Sequence, residues 1–250
     1  MAYVKDFMTT KPRTVSSETK ISDAIQAMAE NNVGSLLVFN KGKIKGILTE
    51  RDLLSKVLEV GKKTEATTVG SVMSSPVAEV QRNVSLKKAA ETMTSTKNRL
   101  VVLDGNKPVG IVTATDIVRA IYKQGAPFDP SKTITRKVIT VNPETSVRDV
   151  VGIMSRKRVG SVVVAKNGKP LGIFTERDLL KKILGPHISM DKPVGDDATK
   201  QLIIAREETD GREAAAIMAS NGIKRLLLFK GDEMAGVITA RDLVEAYAIA

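Results

Sequence analysis

Cysteine and tryptophan are absent from this 250-residue chain, and histidine occurs once, at His187. Without thiols there are no disulfides and no thiolate metal centres. A single imidazole removes most histidine-based catalysis and most zinc chemistry. Aromatic residues make up only 3% of the chain against 42% hydrophobic residues overall, so the core must be aliphatic. No apolar stretch approaches the roughly 20 residues of a membrane span. The opening Met1-Ala2-Tyr3-Val4-Lys5-Asp6 lacks a signal-peptide apolar core, so the expected location is cytoplasmic. There is no Gly-x-x-x-x-Gly-Lys-Ser/Thr loop, no Gly-x-Gly-x-x-Gly after a strand, no cluster of metal ligands and no nucleophile beside a base. These gaps argue against an enzyme and against a required metal.

What the chain does contain is one heptad written four times. The copies are Gly46-Ile47-Leu48-Thr49-Glu50-Arg51-Asp52, Gly110-Ile111-Val112-Thr113-Ala114-Thr115-Asp116, Gly172-Ile173-Phe174-Thr175-Glu176-Arg177-Asp178 and Gly236-Val237-Ile238-Thr239-Ala240-Arg241-Asp242. A period of this size marks a repeat architecture. Copies one and three are 126 residues apart (172 − 46), as are copies two and four (236 − 110). Two tandem modules of two repeats each follow. The stretch Lys123-Gln124-Gly125-Ala126-Pro127-Phe128-Asp129-Pro130-Ser131-Lys132 joins them, with two prolines and no periodicity.

Repeat one opens with the extended Arg13-Thr14-Val15. Ile21, Ile25 and Met28 then mark one face of an amphipathic helix for which Thr19 is the predicted N-cap. Ser35–Phe39 is an apolar run of strand length, turned by Asn40-Lys41-Gly42-Lys43 and returned by Lys45–Leu48. Leu53, Leu54, Val57 and Leu58 mark a second helix. The order strand, helix, strand, strand, helix recurs, with turns at Asp104-Gly105-Asn106-Lys107, Lys166-Asn167-Gly168-Lys169 and Lys230-Gly231-Asp232-Glu233. Gly195-Asp196-Asp197-Ala198-Thr199-Lys200 reads as a degraded lead-in to repeat four. One repeat is too small to bury both faces of its sheet, so repeats should pair.

The Thr-x-x-Asp of each heptad sits where a strand gives way to a helix. That spacing is close to a capping box, with an acidic group suited to the first helical turn. The same corner also presents free N–H groups to a phosphate, a hydroxyl to a ligand and a carboxylate to a ribose diol. Both readings are open on the residues alone.

The fourfold Gly-h-h-Thr-x-x-Asp, with its hairpin and following helix, resembles the cystathionine beta-synthase (CBS) domain family from about Val4 to Tyr247. The resemblance implies an α+β fold of four β-α-β-β-α units arranged as two pseudo-twofold CBS pairs. The repeats are expected at 1–60, 66–124, 132–185 and 188–250. Residues 1–124 and 132–250 would be the two Bateman modules, with 125–131 as linker. CBS pairs hold a nucleotide between two units, and the resemblance makes Asp52, Asp116, Asp178 and Asp242 ribose ligands. Thr49, Thr113, Thr175 and Thr239 would lie near sugar and phosphates. Thr14 with Gly34 and Ser35, and Thr140 with Gly160 and Ser161, would frame the pockets of Asp116 and Asp242. At the corresponding places stand Asn98-Arg99 and Lys224-Arg225, which would face the pockets of Asp52 and Asp178; an arginine fork suits phosphate oxygens. Glu79 and Ile204 replace Thr14 in repeats two and four, so the Asp116 and Asp242 pockets are the more adenosine-like.

The expected protein is a stand-alone regulatory sensor that binds AMP, ADP or ATP, with S-adenosylmethionine less favoured, and transmits occupancy to a partner protein. It would form a monomeric disc or a homodimer. Net charge is +11, spread as +7 up to Gly125 and +4 beyond it (19 − 12 and 20 − 16). This favours anionic partners and supports an alternative, a nucleic-acid-binding or scaffold protein of the same fold. Three Tyr, five Phe and no Trp leave that alternative few bases to stack.

Overall fold

Four small three-stranded sheets, each with its own pair of helices, make up the computed structural model, which describes residues 2–96 and 99–250. Repeat one comprises β1 (Thr14–Ser16), α1 (Ile21–Glu30), β2 (Ser35–Asn40), β3 (Lys43–Thr49) and α2 (Glu50–Leu53), continued by a π-helical turn at Leu54–Leu58. Repeat two has β4 (Ala78–Gln81), α3 (Leu86–Thr96), β5 (Leu100–Asp104), β6 (Lys107–Val112) and α4 (Ala114–Gln124). Repeat three has β7 (Thr140–Val141), α5 (Val147–Arg156), β8 (Ser161–Lys166), β9 (Lys169–Thr175) and α6 (Glu176–Asp178), followed by a π-helical Leu179–Leu184. Repeat four has β10 (Ile204–Arg206), α7 (Gly211–Asn221), β11 (Arg225–Lys230), β12 (Glu233–Thr239) and α8 (Ala240–Ile249). The α+β fold and its element order agree with the sequence reading. Asn98 lies outside the described residues.

In every sheet the first strand runs parallel to the second, and the second antiparallel to the third. The hairpins close through two-residue turns; Lys41–Gly42 and Asn167–Gly168 place both central residues at positive φ. The register of each hairpin shifts just after the residue facing the motif glycine, Val38 opposite Gly46 in repeat one. A lead-in segment crosses at that glycine and exchanges two backbone bonds with the next residue of the strand: Ser74 with Ile47, Thr9 with Ile111, Thr199 with Ile173 and Thr135 with Val237. A Cβ on Gly46 would lie 2.7 Å from the Ser74 carbonyl, and one on Gly110 2.7 Å from the Thr9 carbonyl. The heptad begins with glycine because a second backbone must pass over it.

Two expectations are corrected here. Gly195–Lys200 is not degraded: Val194 is fully buried like Val4 and Val69, and Thr199 makes the same two-way bridge as Ser74. The requirement at that place is on backbone path, which side-chain identity does not report. Thr19 does not cap α1; Lys20 precedes the helix without a side-chain cap bond. The N–H of Ile21 is satisfied instead by the Thr67 carbonyl at 2.9 Å. The same tertiary cap recurs at Leu86 from Ala2, Val147 from Lys192 and Gly211 from Phe128.

By contacts the chain forms two compact units. One holds residues 13–76 and 139–202, hence repeats one and three; the other holds 1–12, 77–138 and 203–250, hence repeats two and four. In the first-and-third unit the helical cores are exchanged. Leu54 of repeat one is fully buried among Val147, Val150, Val151 and Met154 of repeat three. Leu180, 126 residues on, is buried among Ile21, Ala24, Ile25 and Met28 of repeat one. In the second-and-fourth unit, α3 packs on α8 and α4 on α7 around one shared core that includes Met93, Ile121, Met218 and Leu243. The 125–131 stretch is bound to this unit: Phe128 meets Tyr247 edge-on at 5.6 Å and Pro130 is buried.

Candidate functional site

Each heptad places its threonine as the last strand residue and its aspartate in the first helical turn. Thr49 lies at φ −126°, ψ 162°, the extended conformation of an N-cap, and its backbone N–H donates to Asp52 Oδ2 at 2.9 Å. Its hydroxyl donates to the same oxygen at 2.6 Å and accepts from the Asp52 N–H at 3.1 Å. Thr175 and Asp178 repeat the arrangement at 3.0, 2.7 and 3.1 Å. Thr113 donates twice to Asp116 Oδ2, at 2.8 and 2.7 Å, while the Asp116 N–H turns to the Thr113 carbonyl. Thr239 N–H donates to Asp242 Oδ2 at 2.7 Å and the Thr239 hydroxyl accepts from the Asp242 N–H at 3.3 Å. The capping function is therefore present in all four copies.

Oδ2 is used alike everywhere; the other carboxylate oxygen separates the copies. Asp52 Oδ1 accepts from the Ser74 hydroxyl at 2.7 Å and pairs with Lys56 Nζ at 2.7 Å. Asp178 Oδ1 accepts from Thr199 at 3.2 Å and pairs with Lys182 Nζ at 2.8 Å. Asp116 Oδ1 pairs with Arg119, one turn along α4, whose side chain is 54% exposed. Asp242 Oδ1 has no partner among the described residues. Burial raises the Asp242 carboxyl above the ordinary carboxylate range, and Glu245 adds to the shift; the Thr239 bonds and Arg241 oppose it.

The two positions between threonine and aspartate also divide the copies. In the first-and-third unit they are Glu-Arg twice, and the side chains cross: Arg51 Nε meets Glu176 Oε1 at 2.6 Å, and Arg177 Nε meets Glu50 Oε1 at 2.5 Å. Arg177 also donates to the backbone and side-chain oxygens of Asn32, both at 2.8 Å. In the other unit these positions read Ala114-Thr115 and Ala240-Arg241, so no such crossing can form.

The remaining predicted site residues fall into two groups. Thr14 and Thr140 are exposed on β1 and β7, as are Glu79 on β4 and Ile204 on β10. Ser35 and Ser161 open β2 and β8, and Arg225 opens β11; each pairs in register with its own motif threonine, Thr49, Thr175 and Thr239. The carbonyls of Gly34, Gly160 and Lys224 accept the first helical N–H of the same repeat, at 3.2, 3.1 and 2.9 Å. A Cβ on Gly34 would come within 2.8 Å of Glu50 Oε2 and 3.0 Å of the Arg177 guanidinium, so this glycine accommodates the crossed pair. Arg99, Lys224 and Arg225 are half-buried. Thus Gly34, Ser35, Thr49 and Asp52 gather at one corner, and Gly160, Ser161, Thr175 and Asp178 at its counterpart. Sequence reasoning missed Glu50, Arg51, Lys56 and Ser74 and their partners Glu176, Arg177, Lys182 and Thr199. The signal was present as Glu-Arg before the aspartate and lysine four residues after it, in copies one and three only.

Among the described residues no three or more His, Asp or Glu side chains converge as a metal site, and no helix is long and apolar enough to cross a membrane. The CBS domain profile matches the chain at residues 4–59, 69–123, 132–185 and 194–249. The uncharacterized protein MJ1404 of Methanocaldococcus jannaschii is 28% identical over 98% of this chain, which spans 62% of that protein's length. The CBS domain-containing protein YhcV of Bacillus subtilis is 37% identical over 47% of this chain and 84% of its own. Among solved structures, protein MJ1225 of M. jannaschii, described as a candidate archaeal homolog of g-AMPK, superposes with TM-score 0.81 at 24% identity, covering 99% of this chain and all of that one.

Proposed function

The chain belongs to the CBS-domain family, and from that premise we propose that it is a regulatory protein that binds adenine nucleotides and relays their occupancy to a partner protein. The observation that carries this reading is the state of Asp242. A ribose diol offers two hydroxyl donors and needs a carboxylate oxygen with free lone pairs. Asp242 has such an oxygen, beside a helix start whose threonine already fixes the carboxylate orientation. Asp116 pairs with Arg119 through Oδ1 and, beside that pair and the two Thr113 bonds, keeps one acceptor position for a hydroxyl.

In this reading Asp116, Asp242, Thr113 and Thr239 hold the sugar. The chemistry proposed is recognition without turnover, with no metal. The name of the M. jannaschii structure, which refers to g-AMPK, agrees with an adenine nucleotide as the ligand class. Calorimetry with AMP, ADP, ATP and S-adenosylmethionine tests it. Heat is expected with at least one adenine nucleotide, and its loss in Asp116→Asn with Asp242→Asn. Absence of heat with all four ligands removes the reading.

The charge of +11 favours one further reading, binding of nucleic acid on the same fold. A gel shift titrated with salt separates the two, because phosphate-backbone binding weakens steeply as salt rises.

A further inference from the structure

The motif aspartates differ in how many acceptor positions are taken: Asp116 keeps one beside its Arg119 pair and Asp242 keeps Oδ1, while Asp52 and Asp178 are filled by a lead-in hydroxyl and a lysine. A carboxylate offers about four lone-pair sites. At Asp52 the Thr49 N–H and hydroxyl take two, Ser74 takes a third and Lys56 the fourth. At Asp178 the Thr175 N–H and hydroxyl, Thr199 and Lys182 do the same. Nothing remains there for a ribose hydroxyl.

The lysines reach further than their own helices. Lys56 Nζ also donates to the Val72 carbonyl at 3.0 Å and the Ser74 hydroxyl at 3.0 Å. Lys182 Nζ donates to the Asp197 carbonyl at 2.7 Å. The lysines are 126 residues apart (182 − 56), while the segments they hold are 125 apart (199 − 74). The same ties are therefore made across a one-residue offset in the intervening loops. Repeats two and four have Ala120 and Ala246 where the lysines stand, each four residues after the aspartate. Their lead-in hydroxyls, Thr9 and Thr135, are not bonded to Asp116 or Asp242 among the described residues.

We infer that Lys56 and Lys182 decide which motif corners take a nucleotide. By filling the last acceptor positions of Asp52 and Asp178 and tying them to residues 72–74 and 197–199, they turn these corners into structural staples and leave ribose recognition to Asp116 and Asp242. This deepens the nucleotide reading above and, for occupancy, rests on it. Removing such a tie frees the segment; displacing it for a ligand would strand an ammonium and a carbonyl that now satisfy each other.

Two measurements on the full chain test the inference. In calorimetry with AMP, ADP and ATP, the native chain binds two nucleotides, and Asp52→Asn with Asp178→Asn leaves that number unchanged. Lys56→Met with Lys182→Met, which keeps the aliphatic stems, raises it. A native count of four, a loss of sites in the Asp52/Asp178 variant, or an unchanged count in the lysine variant overturns the inference. Independently of any ligand, amide exchange at Ser74 and Thr199 accelerates about fivefold to tenfold in the lysine variant, while Thr9 and Thr135 keep their native rates. Unchanged exchange at Ser74 and Thr199 overturns the staple. If the native chain binds no nucleotide, the proposed function falls by itself, and the exchange measurement alone then judges the lysine ties.

Discussion

Arg177 of repeat three donates from Nε to Glu50 of repeat one at 2.5 Å, and Arg51 returns the contact to Glu176 at 2.6 Å. The Glu50 side chain is only 7% exposed, so the pair joins the two repeats at a place where water is largely excluded. Breaking a buried pair from one side leaves its partner uncompensated. Because the arginine retains 27% exposure, Arg177→Met is expected to cost about 1–3 kcal/mol, short of the fully buried range. Urea unfolding of Arg177→Met, Glu50→Gln and the double variant would report a coupling of at least about 0.5 kcal/mol.

The exchanged leucines predict a matched pair of effects. Leu54→Ala opens a cavity in the core of repeat three and Leu180→Ala one in the core of repeat one. Each is expected to cost about 2–5 kcal/mol. Unfolding midpoints should fall by similar amounts in the two variants, and local amide exchange should loosen most in the repeat that receives the side chain rather than the one that supplies it.

The motif glycines predict steric intolerance without positive φ. Gly110→Ala would drive a methyl to 2.7 Å from the Thr9 carbonyl and 3.0 Å from Met8 Sδ. A loss of about 1–3 kcal/mol is expected from overpacking against a backbone that cannot move aside. Gly105→Ala, in an open turn at φ +60°, has no neighbour to meet and is expected to cost about 1 kcal/mol from conformation alone. Thermal melts of the two variants give the comparison.

Asp242 predicts a pH dependence with a defined sign. Its carboxyl is raised in the folded state, so the native chain holds that proton more tightly than the unfolded chain does. Its contribution to stability is fully present below the unfolded pKa and is lost as pH rises through the folded one. Asp242→Asn should therefore remove part of the decline in stability on going upward from the ordinary carboxylate range, seen as a flatter unfolding free energy across that window. Ribose hydroxyls favour the ionised form, so nucleotide affinity at this corner should rise over the same window and level off above it.

The repeat architecture, the element order and the motif corners were all legible because each depends on local patterning. Glycine, strand-formers and Thr-x-x-Asp recur at fixed spacing, and apolar faces repeat with helical period. The cap of α1 was not legible, since its acceptor is a backbone carbonyl at Thr67, and backbone carbonyls carry no sequence signature. Nor was the pairing of repeats one with three, which depends on Leu54 and Leu180 exchanging places between cores, or of two with four, which depends on α3 packing on α8 and α4 on α7. Within the candidate site the aspartates were evident, but their saturation was not. Lys56 and Ser74 lie 4 and 22 residues from Asp52, and only the fold brings both to one oxygen.

The exchange of Leu54 and Leu180 also bears on how such a chain could arise. A half-length ancestor containing one copy of each repeat type would present an unfilled helical cavity and a protruding leucine on the same surface. Two copies of it would satisfy each other about a twofold axis, leucine into cavity and arginine against glutamate. Severing the backbone within residues 125–131 is therefore expected to leave two fragments that reassociate through these exchanged contacts.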